Sequence, residues 1–127
     1  MFGKKSKGKV MVVEDDALLS QVLSKGFVSE GFEVAVVGNG LEALDLVTKF
    51  KPGMIFLDLM LPGIDGFEVL KRLKEDSDTS AIPVVIMSNL DQIADVKSAK
   101  VLGAEEYFIK ANTQLDKIIG FARDRLK

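Results

Sequence analysis

Five short apolar runs, each followed by a segment with helical spacing, constrain the fold of this chain more than any other feature. The first run, Lys9–Val13, is followed by Leu19, Leu23 and Phe27, which fall on one face of a helix. The third, Met54–Leu57, is apolar throughout, as expected for a parallel strand that is covered on both sides. Alternating strands and helices of this length predict an α/β fold of three layers, in which right-handed crossovers connect the strands of one parallel sheet.

Turn and capping residues predict where the other strands and helices begin and end. The remaining strands are expected at residues 32–37, 83–87 and 105–109. The fourth helix is expected from about Asp91 to Leu102, and Thr113 is expected to cap the last helix. The chain lacks a glycine-rich phosphate-binding fingerprint, so the five-stranded order 2-1-3-4-5 is favoured over that of a dinucleotide-binding sheet.

Composition allows one domain and excludes several kinds of chemistry. The 127 residues are 47% apolar, so they can form a single core, expected over residues 9–127 with no output domain. Residues 1–8 are expected to form a flexible basic tail. A net charge of −2 gives no basic surface for nucleic acid, and no apolar run is long enough for a membrane span, so a cytoplasmic protein is expected. Because histidine and cysteine are absent, chemistry must use carboxylates, lysine and hydroxyl groups.

Polar side chains follow four of the five predicted strands. They are Glu14 and Asp15, then Asp58, Ser88 and Lys110. Because the carboxyl ends of parallel strands lie along one edge of a sheet, these side chains are expected to gather there. Taken singly, each has a local explanation as a helix cap, a turn residue or a surface charge. Together, three close carboxylates require a nearby cation, and a hard ion with oxygen ligands such as Mg²⁺ meets that need.

The same residues suit the chemistry of phosphoryl transfer. With a bound ion to neutralise charge, Asp58 can act as the nucleophile towards a phosphoryl group. Lys110 would add a second positive charge, and Ser88 would donate a hydrogen bond to a phosphoryl oxygen.

Four separated motifs agree in type, order and strand-end position with one known family. They are VVEDD at 12–16, FLDLMLPGIDG at 56–66, PVVIMS at 83–88 and GAEEYFIK at 103–110. With these motifs the chain resembles the receiver domains of two-component response regulators, over nearly the whole length from Lys9 to about Leu126. The resemblance implies a flavodoxin-like (βα)5 fold and a phosphorylation switch rather than an enzyme, with at most self-phosphorylation from small donors and slow self-dephosphorylation.

The resemblance also implies roles for the site residues. Asp58 would be the phosphoacceptor, and a histidine kinase or a histidine phosphotransfer protein would be the donor. The cofactor would be Mg²⁺, for which Mn²⁺ can substitute. Asp15 and Asp58 would bind the ion directly, Glu14 would act mostly through water, and the backbone carbonyl of Met60 would complete the protein's share.

A conformational switch is implied by the same resemblance. On phosphorylation the Ser88 hydroxyl would move towards the phosphoryl group, and the Tyr107 side chain would turn inward into the space that opens. The altered surface would surround the fourth helix, the fifth strand and the fifth helix. It would contact a protein target, an output domain outside this chain, or a second copy in a phosphorylation-dependent dimer. Alternatively, Tyr107 is an ordinary half-buried aromatic residue of a strand.

Three departures from the family pattern concern the loops around the site. Ala111 follows Lys110 where the family usually has proline, often after a cis bond. Because a cis bond before a non-proline residue costs about 3 kcal/mol, a trans bond and a differently aimed Lys110 loop are favoured. Asn89 stands where a small residue is usual, so it is expected to narrow access to the phosphoryl group or to offer it another hydrogen bond. Met60 and Leu90 are apolar where polar residues can orient water, which predicts slow self-dephosphorylation.

Two alternatives remain open from the sequence. A pseudo-receiver would keep the fold as an interaction module without phosphorylation, and Asn89 and Ala111 keep that reading open. A Mg²⁺-dependent phosphatase with an aspartyl-phosphate intermediate commonly has a second aspartate two positions after the nucleophile. Met60 occupies that position here, and no cap domain over the site is expected. The sequence does not distinguish a stand-alone regulator from a receiver within a longer protein, and it identifies neither the kinase nor the output.

Overall fold

The computed structural model of the protein describes residues 6–126. Five strands form one parallel sheet in the order β2-β1-β3-β4-β5, as predicted. The strands are β1 (Lys9–Val13), β2 (Glu33–Val37), β3 (Met54–Leu57), β4 (Val84–Ser88) and β5 (Glu106–Ile109). The helices are α1 (Ala17–Ser29), α2 (Gly40–Phe50), α3 (Gly66–Glu75), α4 (Ile93–Val101) and α5 (Leu115–Arg125), with a 3₁₀ turn (Lys110–Asn112) between β5 and α5. None of the described helices is long and apolar enough to cross a membrane.

The predicted elements are all found, with small shifts at their ends. β2, β4 and β5 each begin one residue later than expected, and β4 continues to Ser88. α4 is shorter than expected, because it begins at Ile93 and ends at Val101. The site residues keep their predicted places at or just after the ends of the strands.

The prediction that Thr113 caps the last helix is wrong. α5 begins at Leu115 after Gln114, so Thr113 lies outside the capping position. Its hydroxyl instead donates a hydrogen bond to the backbone carbonyl of Ile109 at 2.8 Å. A threonine hydroxyl can bond to several nearby backbone groups. Here it donates to the carbonyl before the 3₁₀ turn and does not accept from an N–H group at the start of α5.

Two hydrophobic clusters cover the two faces of the sheet. α1 and α5 pack on one face, where Phe27 and Ile119 belong to the same buried cluster. α2, α3 and α4 pack on the other face, with Val47 and Leu70 in its cluster. β3 and β4 are buried along their whole length. The run at Met54–Leu57 therefore lies in the middle of the sheet, covered on both sides, as its composition predicts.

The strand register places the ends of β1 and β3 side by side. Val13 pairs with Leu57, so Glu14 and Asp58, the next residue of each chain segment, leave the sheet as neighbours. In this strand order β1 and β3 lie where the connections change direction. Ligands bind at that point in open α/β sheets.

The helix starts differ along the edge that carries these residues. Side-chain oxygens of Asp16, Asn39 and Asp65 accept hydrogen bonds from backbone N–H groups in the first turns of α1, α2 and α3. These bonds satisfy donors that a helix start otherwise leaves unpaired. In the part of the chain that the structure describes, α4 and α5 follow Gln92 and Gln114 and have no such side-chain bond.

The cap of α2 allows a first test of the fold. Asn39 Oδ1 accepts a hydrogen bond from the Glu42 N–H at 2.9 Å. We expect Asn39→Ala to lower the free energy of unfolding by about 1 kcal/mol, because this N–H loses its partner. Urea denaturation measures the change, and Asn39→Asp, which keeps an acceptor, serves as the control. Equal stability of the alanine variant and the wild type would contradict the expectation.

The start of the described chain is paired with the segment that leads into β2. The Lys7 N–H donates to the Gly31 carbonyl at 3.0 Å, and the Gly8 carbonyl accepts from the Glu33 N–H at 2.9 Å. Residues 1–5 of the expected tail lie outside the described residues. The last part of the segment 1–8 is thus hydrogen-bonded to the body of the domain.

Candidate functional site

Three carboxylates lie together at the carboxyl ends of β1 and β3. One side-chain oxygen from each of Glu14, Asp15 and Asp58 lies within 4.8 Å of the other two. Glu14 and Asp58 are 2% and 4% exposed, whereas Asp15 is exposed to solvent. Burial raises the pKa of Glu14, and the charge of Asp58 adds to that effect, while a hydrogen bond and the charge of Lys110 oppose it. The structure therefore brings the predicted acidic residues into one cluster.

The Lys110 ammonium group contacts two of these carboxylates. Its Nζ lies 2.5 Å from Glu14 Oε1 and 2.8 Å from Asp58 Oδ2. Burial is the largest single influence on the pKa of Lys110 and lowers it, but the hydrogen bonds and charges of Asp58 and Glu14 together outweigh burial, so the pKa is raised. Lys110 is therefore a cation at neutral pH and balances part of the negative charge.

The remaining carboxylate oxygens fit a second cation. Asp58 Oδ1 accepts a hydrogen bond from the Met60 N–H at 3.1 Å, and Glu14 Oε2 accepts one from the Asp16 N–H at 3.0 Å. Glu14 Oε1 is buried, and among the described residues it has the ion pair with Lys110 but no well-directed hydrogen bond. One ammonium group does not balance three carboxylates, and carboxylate oxygens are the preferred ligands of Mg²⁺. The residues present thus suit a divalent ion.

A second group of site residues lies at the end of β4 and in β5. Ser88 is completely buried, and its Oγ accepts a hydrogen bond from the Leu90 N–H at 3.2 Å. Tyr107 of β5 is half-buried, and its hydroxyl donates to the Leu90 carbonyl at 2.6 Å. Burial raises the pKa of the Tyr107 hydroxyl, and nearby aspartates raise it further, against a smaller opposing effect of Ser88. Tyr107 therefore stays protonated at neutral pH and serves as a hydrogen-bond donor to this segment.

The residues that depart from the family pattern occupy different positions around the cluster. Met60 is 58% exposed beside the Asp58 carboxylate. Leu90 is half-buried and packs against the core on the α2–α4 face. Asn89 Oδ1 accepts a hydrogen bond from the Ala111 N–H at 3.0 Å. No peptide bond within residues 6–126 is cis, so the bond before Ala111 is trans, as the sequence favours.

Two further contacts near the site were also not predicted from the sequence. The first is the hydrogen bond between Asn89 and Ala111. The second involves Gly66, whose N–H donates to the Leu59 carbonyl at 2.9 Å. A Cβ atom at Gly66 would come closer to the Asp58 carbonyl oxygen than real side chains approach. The sequence signal for this contact is a glycine directly after a helix cap, where a residue with better helix propensity is usual.

Comparison with known proteins agrees with this geometry. Residues 10–120 match the response regulator receiver domain family. Sporulation initiation phosphotransferase F of Bacillus subtilis is 37% identical over 102 residues, which are 80% of this chain and 81% of that protein. The DNA-binding response regulator MtrA of Mycolicibacterium paratuberculosis is also 37% identical over 102 residues, which are 80% of this chain and 44% of MtrA. This chain thus spans less than half the length of the MtrA protein that it matches.

Solved structures of response regulators have the same fold. The BeF3-activated N-terminal receiver domain of Klebsiella pneumoniae RstA superimposes with a TM-score of 0.85 at 26% identity, covering 94% of this chain and 98% of that one. The Mn²⁺-bound form of response regulator Rcp1 superimposes with a TM-score of 0.84 at 25% identity, covering 94% and 95%.

The strand order β2-β1-β3-β4-β5 and the acidic cluster at the carboxyl ends of the strands are typical of one class of α/β signalling domain. More particularly, the chain belongs to the response regulator receiver domain family of two-component systems. Receiver domains of this family are generally switches rather than enzymes.

Proposed function

We propose that this receiver accepts one phosphoryl group on Asp58 from a histidine kinase or a histidine phosphotransfer protein, in the presence of Mg²⁺. The observation that carries the proposal is the position of the Asp58 carboxylate. One of its oxygens lies 2.8 Å from Lys110 Nζ, and the cluster with Glu14 and Asp15 has oxygens within 4.8 Å of one another. A nucleophile, a fixed cation and a set of oxygen ligands therefore meet at one point.

The residues around Asp58 account for the transfer step. A carboxylate oxygen of Asp58 attacks the phosphorus atom, a P–O bond forms, and the P–N bond to the donor imidazole breaks. The imidazole leaves with the electron pair of that bond and takes a proton from water. The Lys110 ammonium group attracts the oxygens of the transferred group, and the Met60 N–H holds the other carboxylate oxygen of Asp58.

The acidic cluster would hold the divalent ion. Asp15 and Asp58 would contribute carboxylate oxygens, Glu14 would act mostly through water, and Met60 would contribute its backbone carbonyl. The ion would neutralise charge on the transferred oxygens. Three carboxylates within 4.8 Å of one another, facing the single ammonium group of Lys110, support a second cation at this point. Mn²⁺, which is present in the related Rcp1 structure, would substitute for Mg²⁺.

The switch would run through Ser88 and Tyr107. The Ser88 oxygen accepts the Leu90 N–H, so its own hydrogen is available to a phosphoryl oxygen. Movement of that segment would alter the Tyr107 contact with Leu90 and then the surface formed by α4, β5 and α5. Ile93 and Val101 of α4 are 75% and 86% exposed, which supports a contact surface there. Its partner would be a protein target, an output domain or a second phosphorylated copy.

Intact mass spectrometry tests the proposal directly. The protein is incubated with Mg²⁺ and acetyl phosphate, and the mass is compared with that of Asp58→Asn treated in the same way. We expect the wild type to gain one phosphoryl group and the variant to gain none. Asp45→Asn, which removes an exposed carboxylate on α2, is the matched control and should behave as the wild type. If the wild type gains nothing at saturating Mg²⁺, the chain is a pseudo-receiver.

The divalent ion should also stabilise the folded protein. At a Mg²⁺ concentration of about 100 times the dissociation constant, binding adds about 2.7 kcal/mol to the free energy of unfolding. Asp15→Asn should abolish this gain while leaving the metal-free stability nearly unchanged, because the side chain is exposed. Thermal unfolding with MgCl₂ against NaCl of equal ionic strength measures both quantities. The same Mg²⁺ gain in Asp15→Asn as in Asp45→Asn would contradict the assignment of this ligand.

The phosphorylated form should lose its phosphoryl group slowly. Met60 is exposed next to Asp58 and Leu90 packs against the core, and neither side chain has an oxygen or nitrogen atom that could orient a water molecule for attack on phosphorus. After removal of the donor, the mass of the phosphorylated protein should persist for much longer than seconds. Met60→Gln, of similar length but polar, should shorten the lifetime several-fold. Loss within seconds in the wild type would refute this prediction.

A further inference from the structure

We propose that Asn89 is a positioning residue for phosphoryl acceptance, because its side chain holds the turn that carries Lys110. This inference rests on the function proposed above and adds to it a residue that does not itself touch the reacting atoms. Its side-chain carbonyl Oδ1 accepts a hydrogen bond from the Ala111 N–H at 3.0 Å. That bond joins the loop after β4 to the 3₁₀ turn after β5.

The strand register brings the two loops together. Ser88, the last residue of β4, pairs with Ile109, the last residue of β5. Asn89 and Lys110 are the next residues, so they leave the sheet side by side. The side chain of Asn89 is long enough to reach one residue further along the partner segment, where it meets the Ala111 N–H.

The two unusual residues of these loops form one contact. Ala111 lies in the first turn of the 3₁₀ segment, where backbone N–H groups lack partners within the turn. A proline at this position would have no N–H to donate, and a glycine or alanine in place of Asn89 would have no side-chain oxygen to accept. Each departure from the family pattern is therefore the partner of the other, and together they supply a bond between the loops.

The position of this turn decides where the Lys110 charge lies. Lysine has a flexible four-carbon stem and a compact charge, so its reach depends on where its backbone is held. Its Nζ contacts both Glu14 and Asp58, and a shift of the turn would change both distances. The Thr113 hydroxyl holds the other end of the turn through Ile109. Loss of the Asn89 bond would thus loosen the lysine without unfolding the segment.

The same residue connects Lys110 to the proposed switch. Asn89 lies between Ser88, whose Oγ accepts the Leu90 N–H, and Leu90, whose carbonyl accepts the Tyr107 hydroxyl. The segment 88–90 is therefore hydrogen-bonded to Tyr107 within β5 and to Ala111 just after that strand. A movement of Ser88 towards a phosphoryl group would act on the Lys110 turn through Asn89.

The test compares Asn89→Ala with the wild type in two measurements. The first is the maximal rate of phosphorylation by acetyl phosphate at saturating Mg²⁺, measured over a range of donor concentrations. Loss of one hydrogen bond of about 0.5–1.5 kcal/mol corresponds to about two- to tenfold, so the maximal rate should fall by that factor. The half-saturating donor concentration should stay the same, because in this proposal Asn89 acts through the Lys110 turn, to which its side-chain oxygen is bonded. Asn112→Ala, which removes another exposed amide from the same turn, is the matched control.

The second measurement is hydrogen exchange of the Ala111 amide in the unphosphorylated protein. It should be slowed in the wild type and in Asn112→Ala, and faster by about two- to tenfold in Asn89→Ala. Ala111→Pro removes the donor from the other side, so adding Asn89→Ala to it should lower the phosphorylation rate no further. Urea denaturation of each variant shows that the fold is kept.

The outcomes separate this inference from the proposed function. Equal Ala111 exchange in Asn89→Ala and the wild type overturns the contact. Faster exchange with an unchanged phosphorylation rate overturns the positioning role. A wild type that gains no phosphoryl group refutes the proposed function and the positioning role with it, whereas exchange still decides whether the bond between the loops exists.

Discussion

Replacement of Lys110 by methionine should slow phosphoryl acceptance on Asp58 by about 100-fold, the loss expected when a fixed group that stabilises transition-state charge is removed. Methionine has nearly the length of lysine and no charge, so the substitution removes the cation with little change in volume. The lysine Nζ contacts Glu14 and Asp58 at 2.5 Å and 2.8 Å, so it is a fixed positive charge in contact with the proposed nucleophile.

The rate of phosphorylation by acetyl phosphate measures this effect. Two further measurements, the rate of a second variant and the affinity for Mg²⁺, identify its cause. Lys110→Arg keeps the charge on a longer, planar side chain and should recover part of the rate. Lys110→Met should still bind Mg²⁺ at least as tightly as the wild type, because the lysine competes with the ion for two carboxylates. Phosphorylation of Lys110→Met at the wild-type rate would refute the assigned role of the lysine.

Replacement of Gly66 by alanine should destabilise the whole domain by about 3 kcal/mol or more, at the upper end of the cost of overpacking. The added Cβ would meet the Asp58 carbonyl oxygen and the Leu59 Cα, which are backbone atoms and cannot rotate away. A loss of this size is a large fraction of the 5–15 kcal/mol that stabilises a typical domain. The clash also lies directly behind Asp58, the proposed phosphoacceptor, so the folded fraction should be phosphorylated more slowly.

Chemical denaturation of Gly66→Ala, with phosphorylation of the folded fraction, tests this expectation. Gly38→Ala is the matched control, because a Cβ at Gly38 meets nothing within 4 Å. The control should change the free energy of unfolding by no more than about 0.5 kcal/mol. If the two variants unfold at the same urea concentration, α3 does not rest on the Asp58 backbone as described.

The sequence predicted the fold and the membership of the acidic cluster for the same physical reason. Apolar runs at β1 and β3 end abruptly at Glu14 and Asp58, and parallel strands bring such ends to one edge. The long stem of Lys110 then allows its charge to reach that edge from β5. The positions of these residues depend on strand direction and side-chain length, and both can be predicted from the residue pattern along the sequence.

Other contacts depend on loop geometry, which local patterns do not reveal. Thr113 has the right residue type for a helix cap, but the Ile109 carbonyl competes for its hydroxyl, and the helix starts later. The Asn89 bond to Ala111 requires the register between β4 and β5, together with a turn that presents its N–H outward. Neither feature has a periodic signature along the chain.

Helix caps are unevenly distributed along the edge of the sheet that carries the site, so the helix starts at this edge differ in local stability. The first turns of α1, α2 and α3 are held by hydrogen bonds that Asp16, Asn39 and Asp65 accept. Those of α4 and α5 lack such a bond among the described residues, so opening each one costs about 1 kcal/mol less. The first turns of α4 and α5 are therefore expected to open more readily than those of α1, α2 and α3. Under the proposed function, a change at Asp58 would meet least resistance on the side of α4 and α5, before any partner binds.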